Sequence, residues 1–253
     1  FFAVKKNTHI SCAEREATQL RLVNDARYFV SLEDAIIVKG SRGCNKAYHL
    51  MPYFQMDGFH YIDALYHSQV KASQGQRELW VKEVATQMVD AVCALHALDR
   101  YHRDIKPENF LVKLKPRTLS PEKVVLSDLS FSDANRFTGE QCGIQRYMAP
   151  EIFRAHWHDS LYHDAFSLGV TLHALYYGLY RTYALDLSTE VAHADGSIQV
   201  DGSALAHIVH LLTAEDPDRR SLPEEVRALP YFLPPVHAEN LYLLADVAAD
   251  DTR

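Results

Sequence analysis

One ten-residue stretch constrains this chain more than any other: Tyr101-His-Arg-Asp-Ile-Lys-Pro-Glu-Asn-Phe110. It follows directly on Glu78 to Ala97, where Val81, Val84, Met88, Val92 and Leu95 recur every three or four residues, the spacing of a long amphipathic helix. Beyond it, Val112 to Val125 reads as a pair of strands flanking a turn that contains Lys, Pro and Ser. A helix that feeds a charged loop and then a strand pair fixes the loop's charges in space. In that loop Asp104 is followed by Lys106 and, after one more turn of sequence, by Asn109.

The decamer resembles the catalytic loop of protein kinases, and further motifs follow in the order that such a chain requires. Val124-Val125-Leu126-Ser127-Asp128-Leu129-Ser130 resembles the strand and metal-binding Asp of an Asp-Phe-Gly motif, written here as Asp-Leu-Ser. Gly143 to Glu151 ends in Tyr-Met-Ala-Pro-Glu, similar to the close of an activation segment. Asp164-Ala-Phe-Ser-Leu-Gly169-Val170 resembles the start of the central buried helix, and Asp216-Pro-Asp-Arg-Arg220 with Leu229-Pro-Tyr-Phe232 resembles the usual ending. The resemblance runs from residue 1 to residue 232. It implies an α+β, bilobal protein-kinase-like fold: a reduced, β-rich N-lobe with its hinge over 1–57, and a mainly helical C-lobe with an acidic tail over 58–253. It also implies that Arg220 bonds Glu151.

What the resemblance implies for chemistry is ATP and Mg²⁺, with Mn²⁺ as a second candidate ion, acting on a protein substrate. Asp104 would accept the proton of a substrate hydroxyl, Lys106 would balance charge on the transferring phosphoryl group, and Asn109 and Asp128 would hold metal over the nucleotide. Ala3-Val4-Lys5 resembles the strand that supplies a phosphate-binding lysine. Glu16, with Glu14 as the alternative, would steady its flexible stem from a neighbouring helix. Met51-Pro52-Tyr53-Phe54 would form the hinge, with Met51 behind the adenine. Pro52 offers only a carbonyl, so Phe54 would supply the N–H donor.

Several departures matter. No Gly-rich loop precedes Lys5, and Gly40-Ser-Arg-Gly43 comes after it and reads as a turn. The loop lies outside this sequence, or the chain binds nucleotide without it, or the chain is a pseudokinase. The second case resembles the parasite-secreted apicomplexan with-no-Gly-loop kinases and the bradyzoite pseudokinase grouped with them, which would imply export into the parasitophorous vacuole or the cyst wall. Leu129 replaces Phe but stays apolar, Ser130 replaces Gly and stiffens the motif, and Ile144 replaces the Thr that bridges the catalytic Asp and Lys. Lys106 favours Ser or Thr over Tyr as acceptor. Two functions stand: an ATP-dependent Ser/Thr kinase, or a pseudokinase acting as a binding or scaffold module through its C-lobe and tail. Arg103 suits an acidic or phosphorylated activation-segment residue, with Ser132 and Thr138 as candidates.

Composition excludes more than it selects. A net charge of −7 argues against nucleic acid or an anionic membrane as a bulk partner. Ala165 to Tyr180 is too short for a membrane span. The four cysteines show neither metal spacing nor a disulfide framework. His156, His158 and His163 cluster without a ligand set and read as a solvated loop. Position 1 is Phe, which is expected of a fragment, a processed form or an ordered subset. The remaining expectations are local: strands over Phe1 to Lys6 and Ala47 to Tyr53, a helix over Glu14 to Val23, two short strands between Tyr28 and Val38, and a turn at Asp57-Gly58. Ala192 to Gly202 is a polar stretch, and Leu241 to Leu244 an apolar patch in the tail.

Overall fold

In the computed structural model, residues 1–39, 45–68, 72–154, 156–184 and 204–233 are described. The turn expected at Gly40 to Gly43, the polar stretch around 192–202, and the tail with its Leu241 to Leu244 patch lie outside them.

Alternation along the first strand organises the small sheet. β1 (Phe2–Asn7) turns Phe2, Val4 and Lys6 to solvent and Ala3, Lys5 and Asn7 inward, the period-two pattern of a half-covered strand. α1 (Ile10–Val23) buries Ala13, Ala17, Leu20 and Val23, and with them Glu16. β2 (Asp34–Val38) and β3 (Lys46–Pro52) complete an antiparallel sheet in the order β1-β3-β2, with α1 packed against β3. Of the two strands expected between Tyr28 and Val38, only the second forms. The first is a bridge in which Val30 N–H donates to the Leu126 carbonyl at 3.0 Å and Leu126 N–H to the Tyr28 carbonyl at 2.8 Å. Those backbone groups thus pair with a strand far along the chain and stitch the small sheet to the larger half.

Asp57, expected in a turn, closes the two-residue β4 (Met56–Asp57) and caps α2 (Gly58–His67), its carboxylate accepting from His60 N–H at 2.8 Å. α3 (Gln74–His96) starts in a reciprocal capping box between Ser73 and Gln76 and buries Val81, Val84, Met88, Val92 and Leu95, the stripe visible in the sequence. β5 (Phe110–Leu114) and β6 (Pro121–Leu126) pair antiparallel beside β4. β7 (Phe137–Thr138) pairs with β8 (His158–Asp159) on either side of the short α4 (Glu151–Arg154). α5 (Ser160–Tyr177) is buried over nearly its whole length. It is followed by α6 (Leu179–Ala184), α7 (Ala204–Leu212) and α8 (Pro223–Arg227). Gly169 lets α5 and α7 approach: a Cβ there would sit 2.6 Å from Thr213 Cγ2 and 2.9 Å from Leu212 Cβ. Among the described residues, no helix is long and apolar enough to cross a membrane.

Arg220 meets Glu151 as expected. Its two terminal nitrogens donate to the Glu151 oxygens at 2.6 and 2.9 Å, and it also bonds the carbonyls of Tyr162 and Ala214 over the Phe166 ring. The histidine cluster departs from expectation. Only His156 is exposed; His158 lies in β8 and His163 on the inner side of α5, both buried, with their rings 6.1 Å apart. Burial, first among the causes, pushes the His163 pKa down to about 4.

Candidate active site

The loop Tyr101 to Phe110 leaves α3 and enters β5, and Asp164 near the start of α5 holds its backbone. Asp164 Oδ2 accepts from His102 N–H at 2.7 Å and Oδ1 from Arg103 N–H at 2.8 Å. Arg103 there has φ 69°, a left-handed conformation that a side-chain-bearing residue keeps only when its surroundings hold it. His96, at the end of α3, sits 3.1 Å from Asp164 Oδ2 through Nε2 and 3.5 Å from Glu224 Oε1 through Nδ1. Burial opposes its charged form, but the Asp164 hydrogen bond and Glu224 outweigh that and raise its pKa to about 9. Burial likewise pushes Asp164 up, and His96 more than reverses it, leaving the carboxyl below its ordinary value. His102 Nε2 donates to the Ser127 carbonyl at 3.0 Å, which ties the loop to the residue before Asp128.

Within the loop the three expected side chains interlock. Lys106 Nζ donates to Asp104 Oδ2 at 2.5 Å, and Asn109 Nδ2 donates to the Asp104 carbonyl at 2.7 Å and to Oδ2 at 3.2 Å. Asp104 Oδ1 is buried with no hydrogen-bond partner among the described residues. Gly143 closes against it: with φ +99°, a Cβ would lie 2.9 Å from the Arg103 carbonyl and 3.0 Å from Asp104 Oδ1. A side chain there would displace the loop. The next residue, Ile144, is exposed.

The other half of the site comes from the small sheet. Lys5 Nζ donates to Glu16 Oε1 at 2.7 Å and lies 3.2 Å from Asp128 Oδ1. Glu16 is the helix partner; Glu14 faces solvent. Glu16 Oε2 also lies 3.4 Å from His49 Nδ1 and accepts from Asn7 Nδ2 at 3.5 Å. Burial pulls the Lys5 pKa down, but Glu16 and then Asp128 outweigh it and hold the ammonium above its ordinary value. Asp128 shows the mirror case. Burial pushes its carboxyl up, whereas Lys5 and a Ser130 hydrogen bond bring it below its ordinary value, on a backbone at φ 56°.

These residues suit a divalent cation. Hard cations take oxygen ligands, Asp128 is held as a carboxylate, and Asn109 spends its nitrogen on Asp104 so that its oxygen is the end left over. At the hinge Met51 is buried in the core, Pro52 faces Phe2 across the sheet, and Tyr53 N–H donates to the Phe1 carbonyl at 3.2 Å. Phe54 packs against the core, and its N–H has no hydrogen-bond partner among the described residues.

Sequence reasoning missed His96, Glu224 and His49, lone polar residues whose partners are distant in sequence. Of the two candidates opposite Arg103, Thr138 contacts it and Ser132 does not, and the acid is a residue that neither candidate named. Neither Ser132, which is buried, nor Thr138 supplies the acid. The Arg103 guanidinium donates to Glu140 Oε2 at 2.8 Å, to Thr138 Oγ1 at 3.2 Å and to the Phe131 carbonyl at 3.5 Å, with Asp133 Oδ2 at 3.8 Å. The available signal was that Asp133 and Glu140 are the acids between Asp128 and Glu151.

Residues 1–232 match the family model described as "Protein kinase domain". Similar proteins include CBL-interacting protein kinase 16 of Oryza sativa subsp. japonica, 33% identical over 162 residues, covering 59% of this chain and 35% of that protein. Another is the Serine/threonine-protein kinase WNG2 of Toxoplasma gondii, 33% identical over 155 residues, covering 58% of this chain and 24% of that protein. CBL-interacting protein kinase 8 of Oryza sativa subsp. japonica is 29% identical over 149 residues, covering 56% of this chain and 32% of that protein. The matched region thus spans about a third or less of each of these curated relatives. With the family model covering the chain from the Lys5 strand to the end of the described residues, the chain belongs to the protein kinase domain family.

Proposed function

We propose that this chain transfers the terminal phosphoryl group of ATP to a Ser or Thr hydroxyl of a protein substrate. The observation that carries the reading is Lys5 Nζ set between Glu16 at 2.7 Å and Asp128 at 3.2 Å, which brings a strand lysine, a helix acid and the candidate metal-binding acid to one point. Relatives named as serine/threonine-protein kinases, WNG2 among them, support the acceptor class.

Each residue then has a role. Glu16 holds the Lys5 stem so that Nζ can swing from Asp128 to phosphate oxygens when nucleotide enters. Asp128 and the Asn109 oxygen would hold Mg²⁺ or Mn²⁺, which when bound neutralises phosphate charge. Asp104 accepts the substrate hydroxyl proton while Lys106 and Asn109 orient its carboxylate through Oδ2. Phe54 N–H and the Pro52 carbonyl would meet the adenine, with Met51 behind it. Residues 1–57 would close over nucleotide and 58–253 carry the acceptor side.

The test is transfer from labelled ATP to a generic Ser/Thr substrate, with Mg²⁺ and then Mn²⁺, beside Asp104→Asn. Transfer that disappears in the variant supports the reading. No transfer by the wild-type protein with either ion defeats it and leaves a pseudokinase scaffold. The finer assignment, a kinase exported by a parasite into its vacuole or cyst wall, rests on the resemblance to with-no-Gly-loop kinases. Immunolocalisation of the tagged full-length protein inside the producing cell would overturn it.

A further inference from the structure

Arg103 sits beside the catalytic aspartate, with its side chain only 2% exposed, and a buried guanidinium stays charged. Some anion must compensate it. Hydroxyl side chains between Asp128 and Glu151 are Ser130, Ser132, Thr138 and Tyr147, and none of them is exposed. Ser132 and Tyr147 are buried, and the Thr138 hydroxyl already accepts from Arg103 and from Glu140 N–H at 3.1 Å. Ser130 is half-buried and is not among the partners of the Arg103 guanidinium, so no exposed hydroxyl of this segment stands against it. Glu140 already carries the charge that a phosphate would bring: its Oε2 lies 2.8 Å from Arg103 Nη2, nearer than Asp133 at 3.8 Å. Two residues before it, β7 pins the segment to β8, and three residues after it, Gly143 closes on Asp104.

We propose that Glu140 is a positioning residue that anchors the activation segment to Arg103 in place of a phosphate, so that the segment is ordered without phosphorylation. The consequence for turnover rests on the phosphotransfer reading; the anchor itself rests on the contact geometry. Although Glu140 is largely exposed, its loss is felt because the partner left behind is buried.

Amide hydrogen exchange on phosphatase-treated protein tests this, comparing wild type, Glu140→Gln, Glu140→Asp and, as a control for losing an exposed ion pair, Glu122→Gln. Peptides covering 138–147 should keep their protection in the wild type after phosphatase. They should exchange about tenfold faster in Glu140→Gln, recover in part in Glu140→Asp, and stay unchanged in Glu122→Gln. In the same samples, kcat should fall in Glu140→Gln with the KM for ATP unchanged. Wild-type protection lost on phosphatase treatment, or Glu140→Gln protected like wild type, overturns the proposal. Local deprotection confined to Glu140→Gln, in a wild type that transfers no phosphate, would sustain the anchor and sink the phosphotransfer reading. If Glu140→Gln loses protection throughout α3 as well, the milder Glu140→Asp replaces it. There a partial loss should be confined to 138–147, and protection equal to that of the wild type overturns the anchor.

Discussion

The two halves of the site are held by different means. On the loop side, Asp164 is fully buried, fixes two backbone N–H groups and bonds the buried His96, so its own contacts are out of water, and only Glu224 behind His96 reaches solvent. On the sheet side, the side chains of Lys5 and Asp128 are 30% and 34% exposed, and their contact is 3.2 Å long. Buried networks punish any change because their remaining members are left uncompensated, whereas half-exposed pairs can trade a partner for a ligand. The loop side therefore acts as a fixed frame for Asp104, and the sheet side as the part that can exchange Asp128 for phosphate. Breaking each in turn should separate loss of fold from loss of binding.

The largest effect should come from the frame. Asp164→Ala strips partners from His102, Arg103 and His96 at once, which costs about 3–5 kcal/mol and should lower Tm by about 6–20 °C. Differential scanning calorimetry reads this directly, and a Tm within about 2 °C of wild type would show that the frame is not buried as described.

The frame should also carry a pH signature. The His96 pKa is raised from 6.5 to about 9, so its stabilising contribution is full below pH 6.5 and is lost as pH rises through about 9. Asp164 is shifted the opposite way, so its contribution is present above the ordinary carboxylate range and lost only as pH falls through its depressed value. Tm should therefore drop between pH 6.5 and 9 in the wild type and drop less in His96→Gln. Parallel curves would remove His96 from the network.

On the sheet side, Lys5→Ala should weaken Mg-ATP binding at least about tenfold by calorimetry, because the phosphate partner is gone. A lysine on an exposed strand without a buried partner would leave nucleotide-free stability untouched. Glu16 changes that: it is buried and loses its 2.7 Å partner, so about 1–3 kcal/mol of stability should go as well. Unaltered ATP affinity would end the assignment of Lys5.

What was legible in the sequence follows the same division. Contacts within one short segment could be read from spacing, so Asp104, Lys106 and Asn109 stand together as expected. Lys5 with Glu16 and Arg220 with Glu151 were reachable through the order of motifs. Asp164 was recognised as the start of a central helix, yet its two N–H bonds to the loop, and the His96 and Glu224 behind it, leave no local pattern. The burial of His158 and His163 was hidden for a related reason, since three nearby polar residues look solvated until β8 and α5 turn two of them inward. An acid opposite Arg103 is expected from the sequence, but which acid it is depends on how β7 and Gly143 fold the segment back, and that leaves no local pattern at Glu140.

Ser130 offers the gentlest test of the contrast between halves. It occupies a position where a glycine would leave the backbone free, and its side chain instead helps hold Asp128 as a carboxylate. Ser130→Ala removes that hydrogen bond and keeps the backbone restriction, at a cost of about 1 kcal/mol or less, since Asp128 retains Lys5 and partial access to water. Ser130→Gly removes both. If the sheet side is adjustable, Ser130→Ala should shift Mg-ATP affinity by no more than about threefold and leave Tm nearly unchanged, with Ser130→Gly slightly lower in Tm. A Tm loss in Ser130→Ala comparable to that of Asp164→Ala would mean that Asp128 belongs to the rigid frame, and the distinction between a fixed loop side and an exchangeable sheet side would fail.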